Sequence, residues 1–147
     1  MTYEQGTPPY MAIEALLETN PTFIHKPRHD LESILYIILY ICTFIQGPGL
    51  PLYKLNTVFP PLRTWFSGAR TREIGYRKMA HLQCYDIAIL PNFAPYWCDF
   101  TPFVKDLIVA SFPVNARLPS ELQYERFLWI LEKAYSVVEE PSSFKLP

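Results

Sequence analysis

The most apolar stretch of the chain runs from Ile34 to Ile45. Twelve helical residues span about 18 Å, well short of the ~30 Å hydrocarbon layer of a membrane. Charged residues precede the stretch and Gly47-Pro48-Gly49 follows it, so a longer span is excluded. We therefore predict a central helix over residues 31–46, apolar on all sides and buried by the rest of the domain, rather than a membrane segment.

Apolar residues recur at helical spacing along the rest of the chain, and no convincing strand pattern occurs. The pattern predicts a mainly α fold, with one domain over residues 1–140. The proline-rich stretch 47–61 is predicted to be an ordered loop, because it carries apolar anchors that a flexible linker does not need. Besides the central helix, we predict a short helical segment within 6–18, helices within 64–82, 100–112 and 121–139, and a tail over 141–147.

A length of 147 residues with 16% aromatic residues suits one domain with one hydrophobic core. The formal net charge is −1 and both signs are mixed along the chain, so no nucleic-acid partner is indicated. A basic stretch is the exception, and we interpret it as the solvated face of a helix, with a docking patch for an acidic partner as the alternative. Its members are Arg70, Arg72, Arg77 and Lys78.

The three cysteines, Cys42, Cys84 and Cys98, are an odd number without a C-x-x-C pair. This spacing indicates neither a disulfide framework nor a zinc site, and it favours a reducing compartment. Residues 1–5 lack the features of a secretory signal peptide. We therefore expect an intracellular protein, with no indication of which compartment.

Candidate catalytic and metal-binding residues are few. The sequence has no phosphate-binding glycine motif, no H-E-x-x-H and no G-x-S-x-G. His25 and His29 are four residues apart beside Asp30, but a metal site there requires a helix, which Pro27 disfavours. His81 is interpreted as a partly buried packing residue. We therefore predict no metal site and no catalytic residue of these classes.

Two motifs resemble the protein kinase fold. Residues 6–14 read G-T-P-P-Y-M-A-I-E, which is similar to the end of a kinase activation segment, G-T-x-x-Y-M-A-P-E. Asp30 opens the apolar stretch, as an aspartate opens the buried central helix of kinases. The run Arg-His-Asp-Leu-Glu-Ser from Arg28 also resembles the fungal-type protein kinase family. The resemblance implies the helical C-terminal lobe of a protein kinase-like fold, built around a buried central helix.

The departures from this family limit the expected activity. Ile13 stands where A-P-E has proline. The glycine-rich loop, the strand lysine, the catalytic-loop aspartate and the D-F-G aspartate do not occur in the sequence. In an intact family member these groups position ATP and Mg²⁺ for phosphoryl transfer to protein Ser/Thr. We therefore expect this chain to be inactive alone and without a cofactor, a truncated or pseudokinase-like product, or else a piece of an active kinase.

The resemblance assigns roles to the remaining motif residues. Glu14 is expected to form a buried ion pair with Arg117, one residue off the usual spacing; the alternative is a solvated Glu14. Asp30 is expected to cap its own helix. Gly6, Thr7 and Tyr10 match positions that line the acceptor-peptide site, although Thr7 lacks the catalytic aspartate that it accompanies in kinases.

The absence of the catalytic segments that cover the central helix in kinases also suggests what the chain binds. The central helix is expected to have an incomplete cover near Tyr36, Ile37 and Tyr40, which predicts self-association of the chain. A non-catalytic helical module that binds a protein or peptide is the alternative function. A membrane-associated helical protein is a weaker alternative, because the apolar stretch is short.

Overall fold

The computed structural model describes residues 7–19, 22–50, 61–112 and 120–137. These residues are mainly helical and contain no β-strand, which confirms the predicted mainly α class. Short 3₁₀ turns lie at Pro8–Tyr10, Pro61–Phe66, Leu90–Asn92 and Pro95–Trp97. The α-helices are α1 (Ile13–Leu17), α2 (Pro27–Phe44), α3 (Thr71–Gln83), α4 (Tyr85–Ala88), α5 (Thr101–Ser111) and α6 (Ser120–Val137).

The central helix α2 begins four residues before the predicted start. Lys26 is its N-cap and Pro27 its first helical residue, a position where the missing proline N–H costs nothing. Asp30 therefore lies within the first turn, and the prediction that it is the N-cap is wrong. A carboxylate in the first turn still interacts favourably with the positive end of the helix dipole.

One face of α2 forms the centre of the core. Leu35 and Leu39 are fully buried there, and α5 and α6 pack on α2 and on each other. α5 contributes Leu107 and α6 contributes Phe127 to this cluster. The apolar spacing within each helix thus produces one core around α2, because each helix turns its apolar stripe inward.

The opposite face of α2 is exposed, so the prediction of burial on all sides is wrong for that face. Ile34 is 43% and Ile37 45% exposed, and they lie three residues apart on the same side of the helix. The incomplete cover expected at Ile37 is thus confirmed. Tyr36, in contrast, is buried. Among the described helices, none combines the length and the hydropathy that a transmembrane span requires.

Helix α3 packs against α1 through Gly75. A Cβ atom at this position would lie 2.8 Å from Leu17 Cδ2, so any larger residue requires the Leu17 side chain to shift. The basic stretch does not form one solvated face: Arg70 and Arg72 are exposed, but Lys78 is fully buried.

Some predictions fall outside the described residues. They concern Gly6, Arg117, most of the loop 47–61 and the tail 141–147.

Candidate functional site

The N-terminal segment, residues 7–14, lies against α2 and α3. Pro8 and Pro9 restrict the backbone to φ values that suit a tight turn. The 3₁₀ turn closes with the Tyr10 N–H donating to the Thr7 carbonyl at 2.9 Å. Two groups of the segment, the Met11 carbonyl and the Ile13 N–H, are left to bond with side chains of the helices.

Lys78 on α3 binds the backbone of the N-terminal segment. Its Nζ donates to the Met11 carbonyl oxygen at 2.6 Å and lies 3.5 Å from that of Pro8. The same nitrogen lies 3.6 Å from the centre of the Tyr36 ring and 5.3 Å from that of Trp65. We call these two rings the lysine cage. Carbonyl oxygens and aromatic faces are both favourable partners for an ammonium group.

Burial changes the acid–base properties of this lysine. The Lys78 side chain is 0% exposed, and burial lowers its pKa to about 7, although the nearby Glu32 carboxylate opposes the shift. Removing an ammonium from water is costly, so the neutral amine is favoured inside. The folded chain therefore holds Lys78 as a neutral amine far more readily than solvent does.

Glu32 on α2 binds the other free group of the segment. Its Oε1 accepts the Ile13 N–H at 2.7 Å and the Tyr36 hydroxyl. Burial raises the pKa of Glu32, while these hydrogen bonds and the charge of Lys78 favour the carboxylate. Burial also raises the pKa of Tyr36 well above its ordinary value, and the Glu32 charge adds to that shift. Tyr36 therefore stays protonated and donates its hydroxyl to Glu32.

Glu14, at the end of the segment, is bound by the first turn of α2. Its Oε2 accepts hydrogen bonds from Arg28 and, at 2.9 Å, from His29 Nε2. Lys26 Nζ lies 3.9 Å from the other carboxylate oxygen. Burial alone raises the pKa of Glu14, but the hydrogen bond from His29 and the charge of Arg28 together lower it. The predicted partner, Arg117, lies outside the described residues.

His29 has both ring nitrogens in use. Its Nδ1 accepts the Lys26 backbone N–H at 3.1 Å, which satisfies an amide at the start of α2. The proton must then reside on Nε2, which donates to Glu14. The side chain is 1% exposed and stacks on Phe23. His29 therefore links the beginning of α2 to the end of the N-terminal segment.

Of the predicted acceptor-site residues, Thr7 and Tyr10 lie in the described part of the segment. Thr7 is exposed, and Tyr10 is half-buried with its ring edge-on to Tyr40 and Phe66. Burial, followed by the neighbouring Tyr40, raises the pKa of Tyr10. The segment thus presents Thr7 to solvent while its inner side is held by buried groups.

The two histidines considered as metal ligands, His25 and His29, have other partners. His25 lies 3.5 Å from Asp30 at an exposed position, and His29 is engaged with Glu14 and Lys26. In the part of the chain that the structure describes, no three side chains of metal-binding type are grouped.

His81 packs beside the lysine cage. Trp65 Nε1 donates to its Nδ1 at 2.9 Å, and the two ring planes are nearly parallel. Burial lowers the pKa of His81, and the Arg77 charge lowers it further. The partly buried packing role predicted for His81 agrees with this geometry.

Sequence reasoning missed Arg28, His29, Glu32 and Lys78 as functional side chains. The first three belong to the quoted Arg-His-Asp-Leu-Glu-Ser run, which served only as a sign of family resemblance. The signal for Lys78 was its spacing. Ile74, Lys78 and Leu82 are four residues apart, so the lysine lies on the buried stripe of α3.

Comparison with known proteins adds one finding. The family model of the fungal protein kinases matches residues 1–42, which cover the N-terminal segment and most of α2. Neither curated proteins nor solved structures gave a significant match. The side chains that bind Glu14 and Ile13 all lie within the matched residues. Over residues 1–42, the chain is therefore similar to the fungal protein kinase family.

Proposed function

We propose that the chain forms part of a fungal-type protein kinase domain, with the N-terminal segment on the side that receives the protein substrate. The family activity is ATP-dependent phosphoryl transfer to Ser/Thr hydroxyls. The supporting observation is that buried groups of α2 and α3 bind the inner side of the segment, while Thr7 remains exposed. A rigid backbone with an exposed outer side suits recognition of an extended peptide.

We further propose that these 147 residues do not transfer phosphate alone. The groups that bind ATP and Mg²⁺ in kinases do not occur in the sequence. The chain would then supply surface that contacts the protein substrate. Phosphoryl transfer would require the ATP-binding and catalytic motifs of an intact domain.

Two titrations test this proposal. Isothermal titration of the full chain with Mg-ATP is expected to show no binding; low-micromolar binding contradicts the inactive assignment. In an NMR titration with Ser/Thr peptides, the resonances of Thr7 and Tyr10 are expected to shift. Thr7→Glu should abolish these shifts, and Thr19→Glu, at another exposed position, should not. Shifts confined to α6 would argue against a peptide site at the segment.

A second candidate is a non-catalytic helical module that pairs with a second copy of the chain. The exposed Ile34 and Ile37 on α2 favour it, because apolar surface of this kind marks interfaces. A net charge of −1 gives little repulsion between copies. Sedimentation equilibrium should show a dimer that Ile34→Lys with Ile37→Lys converts to a monomer. A monomeric wild-type chain at high concentration excludes this candidate.

A further inference from the structure

Release of the N-terminal segment from α2 and α3 must uncover Lys78. Its Nζ is bonded to the Met11 carbonyl, lies over the Tyr36 ring and has no exposed surface. If Met11 moves away, the amine loses its nearest oxygen acceptor. An amine left between the aromatic rings without a hydrogen-bond acceptor is disfavoured in either protonation state. The lysine side chain therefore has to leave its cage when the segment leaves.

We propose that Lys78 is a latch: the N-terminal segment and the Lys78 side chain leave their positions together. The latch regulates access to the proposed substrate-side segment, and its biological role rests on that proposed function. The opening itself is a property of the fold and is measured separately from peptide binding.

The direction of the pH effect follows from the two environments of the amine. In the closed form burial lowers the Lys78 pKa to about 7, whereas in solvent it returns to 10.5. The open form thus binds the proton more tightly. Closure is favoured increasingly as the pH rises from about 7 towards 10.5, and below 7 Lys78 adds no further change.

The ionisable groups that face Lys78 from the other elements do not produce an effect of this sign, because a raised pKa in the closed form favours opening as the pH rises. From α2 it faces Glu32 and Tyr36, and burial raises both pKa values. From the 3₁₀ turn Pro61–Phe66 it faces Trp65, which does not ionise. From the N-terminal segment it meets backbone carbonyls, while Glu14 in α1 is engaged with the first turn of α2.

Amide hydrogen exchange of the full chain, followed by NMR, tests the latch. The Ile13 amide is the reporter, because its acceptor Glu32 lies on α2 and the bond breaks when the segment leaves. Intrinsic exchange of an open amide speeds up about tenfold per pH unit, while the opening constant is expected to fall about tenfold per pH unit. Between roughly pH 7.5 and 9, the observed Ile13 rate should therefore stay nearly constant.

Two variants sharpen the test. Lys78→Met keeps the length of the side chain and removes the proton, so the Ile13 rate should then rise about tenfold per pH unit. Lys105→Met changes an exposed lysine on α5 and should leave the wild-type profile intact. The Ala94 amide, which donates to the Cys42 carbonyl, reports opening elsewhere and should be more protected than Ile13.

Two results in the wild-type chain overturn the proposal, even if Lys78→Met does not fold. One is an Ile13 rate that rises with the full intrinsic pH dependence. The other is equal protection of Ile13 and Ala94, which would mean that Lys78 is uncovered only by global unfolding. Neither result depends on whether a peptide binds at Thr7.

Discussion

Replacing Glu14 with alanine removes the acceptor at the end of the N-terminal segment. The buried His29 Nε2–H then has no partner, which costs about 1–3 kcal/mol. The Arg28 and Glu14 side chains are 36% and 41% exposed, so their ion pair adds only about 0–1 kcal/mol. We expect a total loss of about 2 kcal/mol, below the ~3–5 kcal/mol for breaking a fully buried ion pair.

Urea denaturation measures this loss, and the melting temperature should fall by about 4–8 °C. Glu14→Gln separates the two contributions, because the amide oxygen still accepts from His29 while the charge is gone. We expect less than about 1 kcal/mol for Glu14→Gln. Glu18→Ala, at the exposed end of α1, should change stability by no more than about 0.5 kcal/mol.

Double-mutant cycles identify the partner of Glu14. The coupling energy of Glu14→Ala with His29→Ala should exceed that with Arg28→Ala. The Arg117 pairing predicted from the resemblance is tested by a third cycle. Equal, small losses for Glu14→Ala and Glu18→Ala would refute the reasoning, because His29 would then not depend on the Glu14 carboxylate.

The contacts of the Glu14 carboxylate also predict part of the loss of folding stability at acidic pH. The pKa of Glu14 is lowered in the folded chain, so its contribution is complete above the ordinary value of 4.5 and is lost as the pH falls through the folded pKa. Glu14→Gln should therefore flatten the stability profile below about pH 4.5. An unchanged acid profile in urea titrations would contradict this assignment.

Three further substitutions test individual contacts by urea denaturation. Gly75→Ala should lower stability, because crowding against Leu17 costs about 1–3 kcal/mol and outweighs the roughly 1 kcal/mol gained in helix propensity; a net gain would show that Leu17 moves aside freely. Tyr36→Phe removes a hydroxyl donor from buried Glu32 and should cost about 1–2 kcal/mol; no loss would mean that water replaces the donor. Ile13→Pro fits the first position of α1 but removes the amide that Glu32 accepts, so a loss of about 1–3 kcal/mol is expected; an unchanged stability would show that the bond contributes nothing.

The helical class could be predicted because apolar spacing reports which side of a helix is buried. The start of α2 could not be predicted, because Asp30 is a good N-cap by residue type. The groups at the actual start are Pro27 and the His29 ring. By residue type Pro27 disfavours a helix through His29, but proline is suited to the first turn, where it lies in α2.

The candidate site was harder to predict, because its main contacts join residues that are distant in sequence. Lys78 binds the carbonyl of Met11, 67 residues away. The composition of the basic stretch, three arginines and Lys78, suggests a solvated face. Only the helical register of Lys78 with Ile74 and Leu82 indicates that it is buried. Glu14 was recognised as a residue with a structural partner, but the sequence does not show that the partner is nearby in the first turn of α2.

The hydrogen bond from Ile13 to Glu32 changes how the departure from the A-P-E motif is understood. Proline has no N–H, so a buried carboxylate at position 32 would lose one of its two donors if position 13 were proline. Positions 13 and 32 should therefore covary in related sequences, with glutamate at 32 accompanying any residue but proline at 13. We therefore expect the replacement of the motif proline by Ile13 to be one half of an evolutionary pair with Glu32.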